Sequence, residues 1–184
     1  MITSITEIIH LLIASFVVGY IFLGIIKLPN KKENLLEIQR FNWNDLWFSV
    51  LASSPGIILH ELAHKFTAIS FGLQAYFTVW PTGLVIGIIL KLLGAGFMFL
   101  APGYVNIPPG GTSLQYSLIA LAGPMLNLIL WMLGIVMLKY RKNMSRKEAV
   151  FWVFNREINK WLFIFNMLPI PPLDGYKVYG RFLF

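Results

Sequence analysis

Cysteine is absent from the 184 residues, which excludes disulfides, thiolate metal ligands and cysteine nucleophiles and leaves His, Asp, Glu and backbone oxygen for any metal site. Charge is scarce as well, at 12% of residues, and the chain has only eight acidic side chains and three histidines. Also missing are a Ser/Gly/Pro-rich linker, a low-complexity tract, an internal repeat and a second, polar composition large enough to fold alone. One domain over residues 1–184 is therefore expected. What fills the chain instead is apolar: 57% of residues are hydrophobic, well beyond the soluble globular average, and the mean hydropathy is positive. That composition implies an integral membrane protein with the lipid bilayer as its surroundings. The net charge of +7 does not point to nucleic acid, because the basic residues gather in two short loops beside apolar segments. Such clusters are topology determinants and contacts for anionic lipid.

Four stretches are long and apolar enough to cross roughly 30 Å of hydrocarbon, at about 5–28, 46–72, 115–138 and 148–168. The first has no basic residues before it and no small-residue cleavage pattern, so a transmembrane helix is expected there and not a removable signal peptide. Residues 73–113 are apolar but interrupted by Pro81, Lys91, Gly94, Gly96, Pro102 and Gly103. "AYFTVW" and "FMFLAPGYVNI" are rich in aromatic and β-branched residues, which predicts two short strands flanking a helix of about a dozen residues that dips into the membrane and returns. A single straight span through 82–98 is the alternative. Four crossings place the loop with Lys31, Lys32 and Arg40 on the same face as the loop with Lys139, Arg141, Lys142, Arg146 and Lys147, and five would separate them. The shared basic face favours re-entry. The expected fold is mostly α and polytopic, with four to five transmembrane helices and a short membrane-associated β region.

The second span carries "HELAH". Residues four apart share a helix face, so His60 and His64 present their rings together, spaced to hold one cation. Glu61 sits beside that face, where it can act as general base on a water. A chance polar pattern would be a fair reading in a soluble helix, but an ionisable group inside a bilayer costs on the order of 3 kcal/mol on insertion scales and marks function by default. A catalytic zinc takes three protein ligands and keeps one position open, so a third ligand must come from elsewhere. Asp174 closes "FNMLPIPPLDG" and is one candidate, although Asp-Gly is also an ordinary turn pairing. His10 is the competitor, read more simply as a hydrogen-bonded helix residue. Asn127, in the otherwise apolar "LAGPMLNLIL", either joins two helices through its amide or donates a hydrogen bond to a developing oxyanion. Gly123 and Pro124 before it permit close packing and free backbone carbonyls.

"HELAH", "LAGPMLN" and "FNMLPIPPLDG", in that order over roughly residues 46–180, resemble the site-2 protease family of intramembrane zinc metalloproteases. The resemblance implies one catalytic zinc ion bound by His60, His64 and Asp174, with Glu61 activating water and Asn127 near the scissile carbonyl. It also implies that "AYFTVW" belongs to a membrane-associated β region; an exposed strand there, at Phe77, Thr78 and Val79, is expected to hold an extended substrate by strand addition. The expected activity is that of a site-2-protease-like metalloendopeptidase in regulated intramembrane proteolysis, cutting a transmembrane protein or peptide substrate, in a multi-pass protein of the cell membrane. The family tends to place zinc toward the cytosol, whereas positive-inside counting puts the basic loops there. A cation or proton transporter built on the same His/Glu/Asp cluster is the alternative, and an inactive scaffold of the same fold is a further one.

Overall fold

The computed structural model describes residues 3–25, 41–94 and 102–183. Its elements in chain order are α1 (Ile5–Phe22), α2 (Trp43–Ser70), β1 (Tyr76–Val79), α3 (Pro81–Leu92), β2 (Gly103–Asn106), α4 (Ser113–Tyr140), α5 (Arg146–Asn166) and α6 (Asp174–Leu183). The fold is mostly helical, as composition implies, and the long helices follow the expected spans closely. Residues 26–28 of the first span, the basic positions Lys31, Lys32 and Arg40, and 97–101 of the second expected strand lie outside the described residues. α6 was not foreseen; the Asp-Gly pair opens a helix.

Local signals explain where the helices start. Ser4, Thr112 and Ser145 each accept a hydrogen bond from the backbone of Glu7, Gln115 and Glu148, whose side chains reach back to the cap residue. These reciprocal boxes satisfy amides that the first helical turn leaves unpaired. Pro55 inside α2 removes one backbone donor, and nearby hydroxyls occupy carbonyls around it: Ser53 Oγ donates to Ser49 O at 2.7 Å and Ser54 Oγ to Val50 O at 2.5 Å.

Cross-helix contacts fix an up-and-down order. Ser49 Oγ donates to Gly19 O at 2.7 Å, and Lys65 lies 2.7 Å from Glu7, so α1 and α2 run antiparallel. His64 meets Ile119 and Gly56 meets Asn127, which makes α2 and α4 antiparallel; Asn127 to Asn159 and Arg141 to Glu148 do the same for α4 and α5. The helix ends joined by residues 23–42 and by 141–145 therefore share one end of the bundle. This is the arrangement expected of two basic loops on one face. Glycine allows the closest approaches: a Cβ on Gly19 would lie 2.2 Å from Val50 Cγ2, and one on Gly134 2.9 Å from Arg156 Cβ.

At the opposite end, β1 and β2 pair antiparallel with Tyr76 against Asn106 and Val79 against Gly103. Trp80 N–H donates to Pro102 O at 3.0 Å, so the chain returns to the point from which α3 departed. That is the geometry of re-entry, not of a straight crossing. α3 nevertheless reaches far along α1, because Lys91 donates to the carbonyls of Tyr20, Ile21 and Leu23 at the far end of that helix.

Among the described residues, α1, α2 and α4 are long and apolar enough to cross a membrane. α5, the fourth expected span, has the length but carries Arg156, Glu157 and Lys160 near its middle. Leu12 and Phe16 on α1 and Ile129, Met132 and Val136 on α4 are exposed, whereas Asn127, Asn159 and Lys65 are buried. Apolar outside and polar inside is the distribution that a hydrocarbon solvent selects.

Candidate metal centre

The centre is built where α2, α4, α5 and the start of α6 meet. His60 and His64, one turn apart on α2, are both 6% exposed. Their Nε2 atoms are 3.0 Å apart, and Asp174 Oδ2 lies 3.0 Å from His60 Nε2 and 3.2 Å from His64 Nε2. Asp174 is the third member and His10 is not: the His10 ring nitrogen Nδ1 lies 3.5 Å from Phe77 O, away from the cluster.

The outward ring nitrogens are also engaged. His64 Nδ1 donates to Ile119 O at 2.7 Å and His60 Nδ1 lies 2.5 Å from Asn127 Oδ1. Ile119 O lies on α4 one turn before Gly123. Gly123 is required there sterically, because a Cβ would stand 2.4 Å from His64 Nε2 and 2.8 Å from His60 Cε1. Asn127 is fully buried, and its Nδ2 donates to Gly56 O at 3.0 Å and to Asn159 Oδ1 at 2.7 Å. The Asn127 amide nitrogen is thus directed at α2 and α5, and its carbonyl end faces His60. Asn159 was missed by sequence reasoning. Its only signal was its position, one helical turn after Asn155 and beside the charged Arg156, Glu157 and Lys160.

With both Nδ1 atoms donating, the two Nε2 atoms and the carboxylate oxygen are three electron-pair donors converging within about 3 Å. A tetrahedral cation with bonds of about 2.0–2.1 Å separates its ligands by about 3.3 Å. Two imidazoles and one carboxylate, without thiolate, form a donor set that zinc accepts with a position left open. The residues fit the metal. Glu61 follows His60 directly on α2. No hydrogen bond to another described residue ties it down.

The three strand residues fare differently from one another. Phe77 is 1% exposed, its N–H donates to Glu7 Oε1 at 2.7 Å and its carbonyl faces His10, so the edge of β1 is closed at that residue by α1. Thr78 and Val79 line an open groove of about 760 Å³ with His10, Pro81 and Leu84. The metal ligands do not line it.

No family model and no solved structure matches the chain. Curated relatives do. A Methanocaldococcus jannaschii protein named "Putative zinc metalloprotease" is 41% identical over 134 residues, covering 71% of this chain and 68% of that protein. A Bacillus subtilis protein with the same description is 35% identical over 150 residues, or 71% of this chain and 67% of its own. A third, from Mycolicibacterium smegmatis, is 33% identical over 138 residues, of which the chain spans about half the relative's length, 51%.

Proposed function

The chain belongs to the zinc metalloprotease family of these relatives, and on that premise we propose that it is an intramembrane protease of the site-2 type, cutting a peptide bond in or near a transmembrane segment of a membrane-protein substrate. The observation that carries this reading is the placement of His60, Glu61 and His64 inside α2, a helix long and apolar enough to cross a membrane, with Asp174 brought to them from α6. A multi-pass protein in the cell membrane is the corresponding location, with α5 as a fourth span that turns Asn155 and Asn159 inward.

His60, His64 and Asp174 would hold the zinc ion. Once bound, zinc supplies Lewis acidity, which acidifies water and polarises a carbonyl. Glu61, with a carboxylate free of hydrogen bonds among the described residues, takes a proton from the attacking water and delivers it to the leaving amine. No covalent intermediate is needed. A substrate helix hides its amides in internal hydrogen bonds, so it must unwind before it can be cut, and the extended segment would lie in the groove that Thr78 and Val79 line, with the backbone of Val79 at the edge of β1 away from β2. A transporter reading has less support, because one His/Asp triad is found among the described residues and not a succession of such groups along a path.

The test is cleavage of a transmembrane substrate by purified protein in vesicles. Glu61→Gln should keep stoichiometric zinc and lose about 10²–10⁴-fold in rate. Equal rates for the two proteins would remove Glu61 as the base.

A further inference from the structure

The proton positions around His60 follow from backbone carbonyls, which can only accept. Asn155 O accepts a hydrogen bond from Asn159 Nδ2 at 2.8 Å. Asn159 must therefore turn its amide nitrogen toward Asn155 and its Oδ1 toward Asn127. Asn127 Nδ2 donates to that oxygen at 2.7 Å and to a second carbonyl, Gly56 O, at 3.0 Å. The Asn127 oxygen then faces His60, and at 2.5 Å it can only accept a proton from Nδ1. With the proton on Nδ1, Nε2 carries the lone pair that points to Asp174 and His64.

We propose that Asn159, acting through Asn127, is a positioning residue that fixes the proton of His60 on Nδ1 and keeps Nε2 free for zinc. This rests on the zinc reading of the cluster but not on what the enzyme cuts. Two further observations support it. Asn127 and Asn159 are 0% exposed and Asn155 is 4% exposed, so bulk water does not compete for these bonds. A Cβ on Gly56 would lie 3.0 Å from Asn159 Oδ1, so the backbone of α2 is bare where the amide of α5 must enter. Removing Asn159 would leave Gly56 O as the single restraint on the Asn127 amide. A flipped amide would offer N–H to Nδ1, draw the proton onto Nε2 and block the metal. The signal reaches the site from a helix that provides no ligand, which is the usual role of partners behind a metal-bound histidine.

The experiment measures the zinc dissociation constant of the detergent-purified full chain by chelator competition, together with the visible spectrum of its cobalt(II)-substituted form. Asn159→Leu should weaken zinc binding by about 10–100-fold and alter the cobalt spectrum. Asn127→Leu should do the same, and the double variant should be no weaker than the worse single one, since both act in one relay. Wild-type zinc affinity in folded Asn159→Leu would overturn the proposal, even if its metal-free form unfolded at a lower temperature. Should that variant fail to fold, ¹⁵N NMR of labelled histidine in the metal-free wild-type chain decides. Protonated Nδ1 on neutral His60 supports the relay and protonated Nε2 overturns it. A wild-type chain that binds no zinc would instead defeat the metal reading itself.

Discussion

At the scale of single residues, the ligand rings leave almost no spare room. Gly123 shows this best, since any side chain there would occupy the space of the His64 and His60 rings. Gly123→Ala should therefore lose zinc, read by metal analysis of the purified protein, while a helix otherwise tolerant of alanine keeps its secondary structure by circular dichroism. His60→Ala and Asp174→Ala should each fall from one zinc per chain to a small fraction of that. Stoichiometric zinc in Asp174→Ala would mean that another group completes the site. The histidines and Glu61 were legible in sequence because their relation is local, one turn of one helix. Asp174 needed the resemblance to a family, its contact with His60 spanning 114 residues. The amide of Asn127 was visible but its direction was not, because that direction is set by Asn159 and by a carbonyl on α2, neither of which any spacing rule connects to it.

Between elements, the joint that holds α1, α2 and β1 together is ionic. Lys65, the residue after the last motif histidine, is 1% exposed and pairs with Glu7 at 2.7 Å; the same carboxylate oxygen accepts the Phe77 N–H. Removing one member of such a pair leaves a buried charge unpaired, which costs about 3–5 kcal/mol, whereas replacing both with apolar groups is often close to neutral. Because Glu7 also accepts the Phe77 N–H, the test is coupling: the losses of unfolding temperature in Lys65→Met and in Glu7→Met should together exceed that in the double variant. A strictly additive pair of losses would show that the two charges do not interact. The helix spans were readable from apolar runs; their starts are set by the capping boxes of Ser4, Thr112 and Ser145, each with its Glu or Gln three positions on. The re-entrant hairpin was readable from Pro and Gly punctuation around aromatic strands. α6 was not, since three prolines before Asp174 obscure a helix start behind what reads as a turn.

For the whole molecule, the ligands are offset along the bundle. His64 lies six residues, about 9 Å of helix, before the end of α2 at Ser70, and 21 residues from its start at Trp43. Asp174 and the β-sheet lie toward the same near end, opposite the helix ends that the basic loops join. Zinc binding needs both imidazoles neutral, so it should weaken as pH falls, and metal retained after chelation at a series of pH values would record this. In sealed vesicles with the protein in one orientation, a membrane-impermeant chelator should strip the metal from the sheet side and spare it from the other.

The same offset separates the two compartments chemically. His64 lies about 9 Å of helix from one end of α2 and about 32 Å from the other. Acidifying the near compartment should therefore silence the enzyme while the far compartment can be acidified without effect. The protein would answer to the acidity of one aqueous space and be blind to that of its neighbour.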